Sequence, residues 1–114
     1  MNLSFWTLLD ELVARSEVVI DRPRGSAHPR FPENISPHNY GCLSGTTSGD
    51  EQGIDVWLGN SDVKYLDAVL VRADLQKRDA ELKLLLGCTV SEQQAIVTFL
   101  NSCPSFQCLL VPRL

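Results

Sequence analysis

Between residues 4 and 15 the chain reads SFWTLLDELVAR, and its apolar positions Phe5, Leu8, Leu9, Leu12 and Val13 fall at helical spacing. That pattern predicts an amphipathic helix, whose stripe either covers its own domain's core or meets a partner, the first being the commoner use. Val18, Val19 and Ile20 form a short β-branched run, which predicts a strand ending at Asp21. Pro23, Pro29, Pro32 and Pro37, with Gly25 among them, then keep residues 22–37 out of regular structure, and this irregular stretch carries Arg22, Arg24 and Arg30. A short strand is expected over NYGCL at 39–43. In IDVWL at 54–58 the alternation puts Ile54, Val56 and Leu58 on one face of a strand and Asp55 and Trp57 on the other.

Residues 66–73, LDAVLVRA, predict another strand, and after a charged turn a further one runs over 81–86, with Glu81 and Lys83 on a common face. Thr89-Val90-Ser91-Glu92 is a capping box, so a helix is expected from about Val90 to Asn101 with Ala95, Ile96, Phe99 and Leu100 facing inward. A last strand over 107–111 is stopped by Pro112. The count is five or six strands and two helices, an α+β domain. Glycines 41, 45, 49 and 53 recur every fourth residue, yet the Thr and Ser between them and the β-branched flanks read as a loop, not a helix-packing face.

A chain of 114 residues is expected to form one domain, 1–114, and can bury about two-thirds of its unfolded surface. Its net charge of −4 leaves no basic face for phosphate backbones, which argues against a nucleic-acid partner. Apolar runs fall far short of the roughly 20 residues that span a bilayer. The opening residues lack a basic segment and a small-residue cleavage site, so a cytoplasmic protein without a membrane partner is expected. Cys42, Cys88, Cys103 and Cys108 form no C-x-x-C pair and read as reduced, mostly buried thiols, and His28 and His38 read as loop residues at the surface.

The chemistry concentrates in GTTSGDEQGIDV at 45–56. Asp50, Glu51 and Asp55 crowd within six residues and repel one another unless solvated or neutralised by a cation. One reading is a solvated acidic turn. The other is a hard-cation site, since Mg²⁺ prefers carboxylate oxygens and water and can then hold phosphates.

The neighbours of this loop extend the second reading. VVIDRPRGS at 18–26, SPHNYGCLSGT at 36–46, GDEQGIDVWLG at 49–59 and the Glu81-Leu82-Lys83 strand follow one another in an order that resembles the soluble inorganic pyrophosphatases of family I, over about residues 18–86. The resemblance implies a small OB-like β-barrel of mostly antiparallel strands with an N-terminal and a C-terminal helix. It also implies an enzyme whose barrel mouth uses Mg²⁺ to hydrolyse pyrophosphate, or a related phosphoanhydride, to phosphate.

Carried over position by position, Asp50 and Asp55 match the outer aspartates of the family's acidic signature and would ligate metal, as would Asp21, Asp79 and Glu81. Arg30 and Lys83 stand where phosphate-binding lysines are expected, and Tyr40 matches a tyrosine that hydrogen-bonds phosphate. Asp55, Lys83, Tyr40 and Arg30 are thus the implied catalytic set. Gln52 departs from the pattern: it occupies the place of the middle signature aspartate, and an amide neither binds metal as strongly nor takes a proton from attacking water. A family arginine between the first strand and Tyr40 has no clear counterpart, and the family's late Tyr-Lys pair is missing. The alternatives are a non-catalytic relative that binds a phosphate-containing ligand or a partner protein, and an interaction domain that uses helix 4–15 in a homo-oligomer.

Overall fold

Alternation and β-branching along the middle of the chain build a single six-stranded sheet. The computed structural model describes residues 4–49 and 51–113. Its elements are α1 (Phe5–Ala14), β1 (Val18–Arg22), β2 (Asn39–Leu43), β3 (Asp55–Leu58), β4 (Leu66–Asp74), β5 (Asp79–Leu86), α2 (Val90–Leu100) and β6 (Phe106–Pro112). The strand order is β1-β2-β3-β5-β4-β6, antiparallel at every junction except β3–β5, which is parallel. Burial explains that central pair: Val56, Trp57 and Leu58 on β3 and Leu84, Leu85 and Leu86 on β5 are apolar on both faces and covered on both.

The two faces carry separate cores. On one, Leu43, Val56, Leu58, Leu66, Val69, Leu84 and Leu86 pack with Leu9 of α1, supported by Trp6 and Val13. On the other, Trp57, Ala68, Leu70 and Leu85 pack with Ile96 and Leu100 of α2. Ser4 caps α1 by accepting from the Thr7 amide, and the expected capping box of α2 is present in full, with Thr89 and Glu92 each satisfying the other's backbone N–H. The second carboxylate oxygen of Glu92 accepts from the Asn60 amide at 2.8 Å, which ties the β3–β4 connection to the start of α2.

Several expectations change. The α+β composition with six strands and two helices holds, but the sheet does not close into a barrel: among the described residues the edge strands β1 and β6 do not pair with each other. On α2 the buried positions are Gln93, Ile96 and Leu100, while Ala95 is exposed; Gln93 takes a buried place because its amide donates to the Cys88 carbonyl. On α1 only Leu9 is buried, and Phe5, Leu8 and Leu12 of the same stripe are exposed. The four cysteines are free, as expected, but only Cys88 is buried. No helix among the described residues is long and apolar enough to cross a membrane.

The proline-rich stretch is ordered without being a strand. Backbone bonds from Gly25 to Ser36, from Ser36 to Ser26 and from His28 to Asn34 zip it into a flap, closed at the tip by the Asn34 amide donating to the Phe31 carbonyl at 2.8 Å. The proline nitrogens cannot donate, so the ladder skips those positions.

Candidate functional site

On the face that carries α2, each central strand changes character along its length. β3 passes from Trp57 to Asp55, β5 from Leu85 to Lys83, Glu81 and Asp79, and β4 from Leu70 to Arg72 and Asp74, all at the period of two that keeps side chains on one face. The apolar ends lie under α2. The charged ends form the floor of a cleft of about 680 Å³, walled by the flap on one side and by the segment after α2 on the other.

The registers assemble the floor. Parallel pairing sets Asp55 opposite Lys83, and antiparallel pairing sets Arg72 opposite Glu81 and Asp74 opposite Asp79. Lys83 is 3% exposed, and its ammonium donates to Tyr40 Oη at 2.7 Å, Asp55 Oδ2 at 2.8 Å and Glu81 Oε1 at 3.1 Å, using all three protons. Arg72, 7% exposed, lies 2.9 Å from Glu81 Oε1, 3.5 Å from Asp79 and 3.6 Å from Asp74, with its guanidinium over the Phe106 ring. Glu81 is therefore shared by both cations.

Electrostatics follow from this crowding. Burial pushes the Tyr40 phenol up, the Asp55 carboxylate adds to the push, the Lys83 ammonium opposes it, and the balance stands at about 12. For Lys83 burial acts downward, but Tyr40 and Asp55 prevail and hold the ammonium above its ordinary value. The Lys83 ammonium therefore stays charged and the Tyr40 phenol keeps its proton throughout the physiological range.

The rim differs from the floor. Arg22, Arg30 and Lys77 line the cleft, and among the described residues no carboxylate pairs with them. Arg22 lies over the Tyr40 ring at 5.6 Å. His28 accepts at Nδ1 from the Arg30 and Phe31 amides at 3.0 and 3.2 Å, so the neutral imidazole braces the turn that presents Arg30. Burial, then the Arg22 and Arg30 charges, lower its pKa and favour that neutral form.

Of the residues marked by the sequence, Tyr40, Asp55, Glu81 and Lys83 come together as one hydrogen-bonded cluster. Asp21 and Arg30 line the same cleft but are exposed and make no ion pair among the described residues. Asp79 joins only through Arg72. Asp50 lies outside the described residues. Gln52 lines the cleft. The sequence reading missed Arg72 and Asp74. Their i, i+2 spacing on β4, facing Glu81 and Asp79 across a tight hairpin, was the signal available.

Asp55, Asp79 and Glu81, which the resemblance casts as metal ligands, are all engaged by cations in this structure. Their oxygens have the chemistry Mg²⁺ prefers, but Lys83 and Arg72 already neutralise them, and a resident ion would have to displace a buried cation. Among the described residues no group of three or more His, Cys, Asp or Glu side chains is placed to hold a metal. As paired among the described residues, Asp55, Asp79 and Glu81 do not form a preformed metal centre.

Beyond the cleft wall, His38 is buried, its Nδ1 has no hydrogen-bond partner among the described residues, and it lies 3.8 Å from Glu92. Burial lowers its pKa below the ordinary 6.5, with Glu92 acting upward and Arg24 downward. A folded-state pKa below the unfolded one means that the unfolded chain binds the proton more readily as pH falls through 6.5. Urea midpoints are thus expected to drop between pH 7 and pH 5, and His38→Gln should flatten that part of the profile. An unchanged slope in the variant would show that other groups carry it.

No protein-family model and no curated protein sequence matches the chain. Among solved structures, an inorganic pyrophosphatase from Neisseria gonorrhoeae is similar with a TM-score of 0.63 at 18% identity, covering 83% of this chain and 80% of that one. The likeness is one of fold: a small α+β domain whose six-stranded mixed sheet and two helices follow that of a pyrophosphatase.

Proposed function

We propose that the domain binds a pyrophosphate-like ligand, a compact phosphoanhydride, in the cleft between flap and sheet, and that it does so without a resident metal centre. The observation that carries this reading is the division of cations in the cleft. Lys83 and Arg72 are consumed by carboxylates on the floor, whereas among the described residues no carboxylate pairs with Arg22, Arg30 or Lys77 on the rim, where an anion can reach them. Guanidinium groups suit phosphate oxygens because they donate in a bidentate fork. The pyrophosphatase-like fold and the convergence of Tyr40, Asp55, Glu81 and Lys83 support the choice of ligand class.

Hydrolysis would need a group to take a proton from water. Asp55 is engaged by Lys83, Tyr40 holds its proton to about pH 12, and Gln52 is an amide. The floor therefore serves to orient and to balance charge rather than to activate water. Titration calorimetry is expected to show pyrophosphate binding in the absence of Mg²⁺, weakened about tenfold by Arg30→Ala, as fits the loss of one charged hydrogen-bond donor. In parallel, Mg²⁺-dependent phosphate release should not exceed that of an Asp55→Ala control. Release well above that control, raised further by Gln52→Asp, would establish a hydrolase and overturn the non-catalytic part of the reading. Absence of any binding would overturn it whole.

A further inference from the structure

The cleft is several times larger than a pyrophosphate ion requires. Its volume of about 680 Å³ lies in the range of sites that enclose a molecule of cofactor size. What the flap adds to that space is an aromatic surface. Phe31, at the flap tip, is 51% exposed and yet lines the cleft. Its position is built: its amide donates to His28 Nδ1, its carbonyl accepts from Asn34, and the His28 ring lies 5.2 Å from its own. An exposed phenyl ring costs hydration free energy, and a turn this well braced holds that ring out of the core, next to Arg30.

We propose that the ligand is a nucleoside diphosphate, with its base stacked on Phe31 and its diphosphate on Arg22 and Arg30. This deepens the preceding reading and rests on it. The same turn presents the stacking face at residue 31 and a phosphate-binding cation at residue 30, so one braced unit serves both ends of such a ligand. Bases stack on aromatic rings whatever their hydrogen-bonding edge, so adenine and guanine forms should bind alike. Asn34 lines the cleft beside Phe31 and supplies an amide for sugar hydroxyls.

Calorimetric titrations without metal, using ADP, GDP, pyrophosphate and adenosine, test this. ADP and GDP should bind more tightly than pyrophosphate, and adenosine alone weakly. Phe31→Ala should weaken ADP binding roughly 10-fold, within the span that loss of one stacked ring produces, and leave pyrophosphate unchanged, while Phe31→Trp restores ADP binding. Because Phe31 is exposed and at a loop tip, these variants keep the fold. If pyrophosphate binds as tightly as ADP, or Phe31→Ala weakens both equally, the nucleoside assignment falls and the phosphoanhydride reading survives. If neither ADP nor pyrophosphate binds, both fall together.

Discussion

Lys83→Met is expected to lower the unfolding free energy by about 3–5 kcal/mol, the usual cost of leaving a buried charge without its partner. The ammonium is almost fully buried and joins Asp55, Glu81 and Tyr40 across three strands. Methionine fills a similar volume, so lost packing is small and the deficit is electrostatic. Asp55 is left facing an apolar group, and Glu81 retains only Arg72. Against a typical total of about 5–15 kcal/mol for a domain, that is a large share, and urea unfolding at pH 7 measures it directly. Adding Asp55→Asn to Lys83→Met should recover part of the loss, because the stranded carboxylate is then neutral.

The pH dependence of the cluster has a definite sign. Tyr40 is raised from 10.0 to about 12, so the folded state keeps a proton that the unfolded chain gives up. Its contribution is complete below pH 10 and is lost as pH rises through about 12. Lys83→Met removes the ammonium that holds the phenol down, so it should lower the plateau and move the Tyr40 limb to higher pH. A midpoint within about 0.5 kcal/mol of the parent, the scatter of ordinary surface substitutions, would mean that the cluster is solvated and not the paired floor described.

Much of this arrangement was written in the local pattern. Period-two alternation assigned Asp55 and Trp57 to one face of β3 and Glu81 with Lys83 to one face of β5, and those faces meet in the folded sheet. The α2 capping box was legible because it is a local exchange of hydrogen bonds over four residues. What a single strand cannot announce is its neighbour. Arg72 was unremarkable within LDAVLVRA, and its role follows only from the register that sets it against Glu81. Sheet closure was beyond the local signal for the same reason, since it depends on two edge strands at opposite ends of the order. Charge balance is equally non-local: carboxylates counted along the chain look uncompensated until a cation 28 residues away in sequence is found beside Asp55.

Gly41 is the position where these long-range terms are most exposed to test, and Gly41→Ala is expected to destabilise the domain by about 3 kcal/mol, the upper end of the range for overpacking. Residue 41 sits in the middle of β2, paired with Ile20 on one side and Val56 on the other. A methyl group there would collide with the Val19 carbonyl oxygen and come within 2.8 Å of the Val19 carbonyl carbon and 2.9 Å of the Ile20 Cα. All three are backbone atoms, so no rotamer change relieves the contact and β1 itself has to move. β1 already departs from regular pairing between Ile20 and Arg22, and it carries Asp21 and Arg22 into the cleft. The same substitution should therefore weaken ligand binding as Arg22 leaves its place over the Tyr40 ring. Gly49→Ala is the control, since a methyl group at Gly49 meets nothing within 4 Å. Urea midpoints of the two variants, measured side by side, separate close strand approach from the general effect of replacing glycine. Equal midpoints would mean that β1 does not lie against Gly41 as closely as described, and Arg22 would lose its claim to a fixed place on the rim.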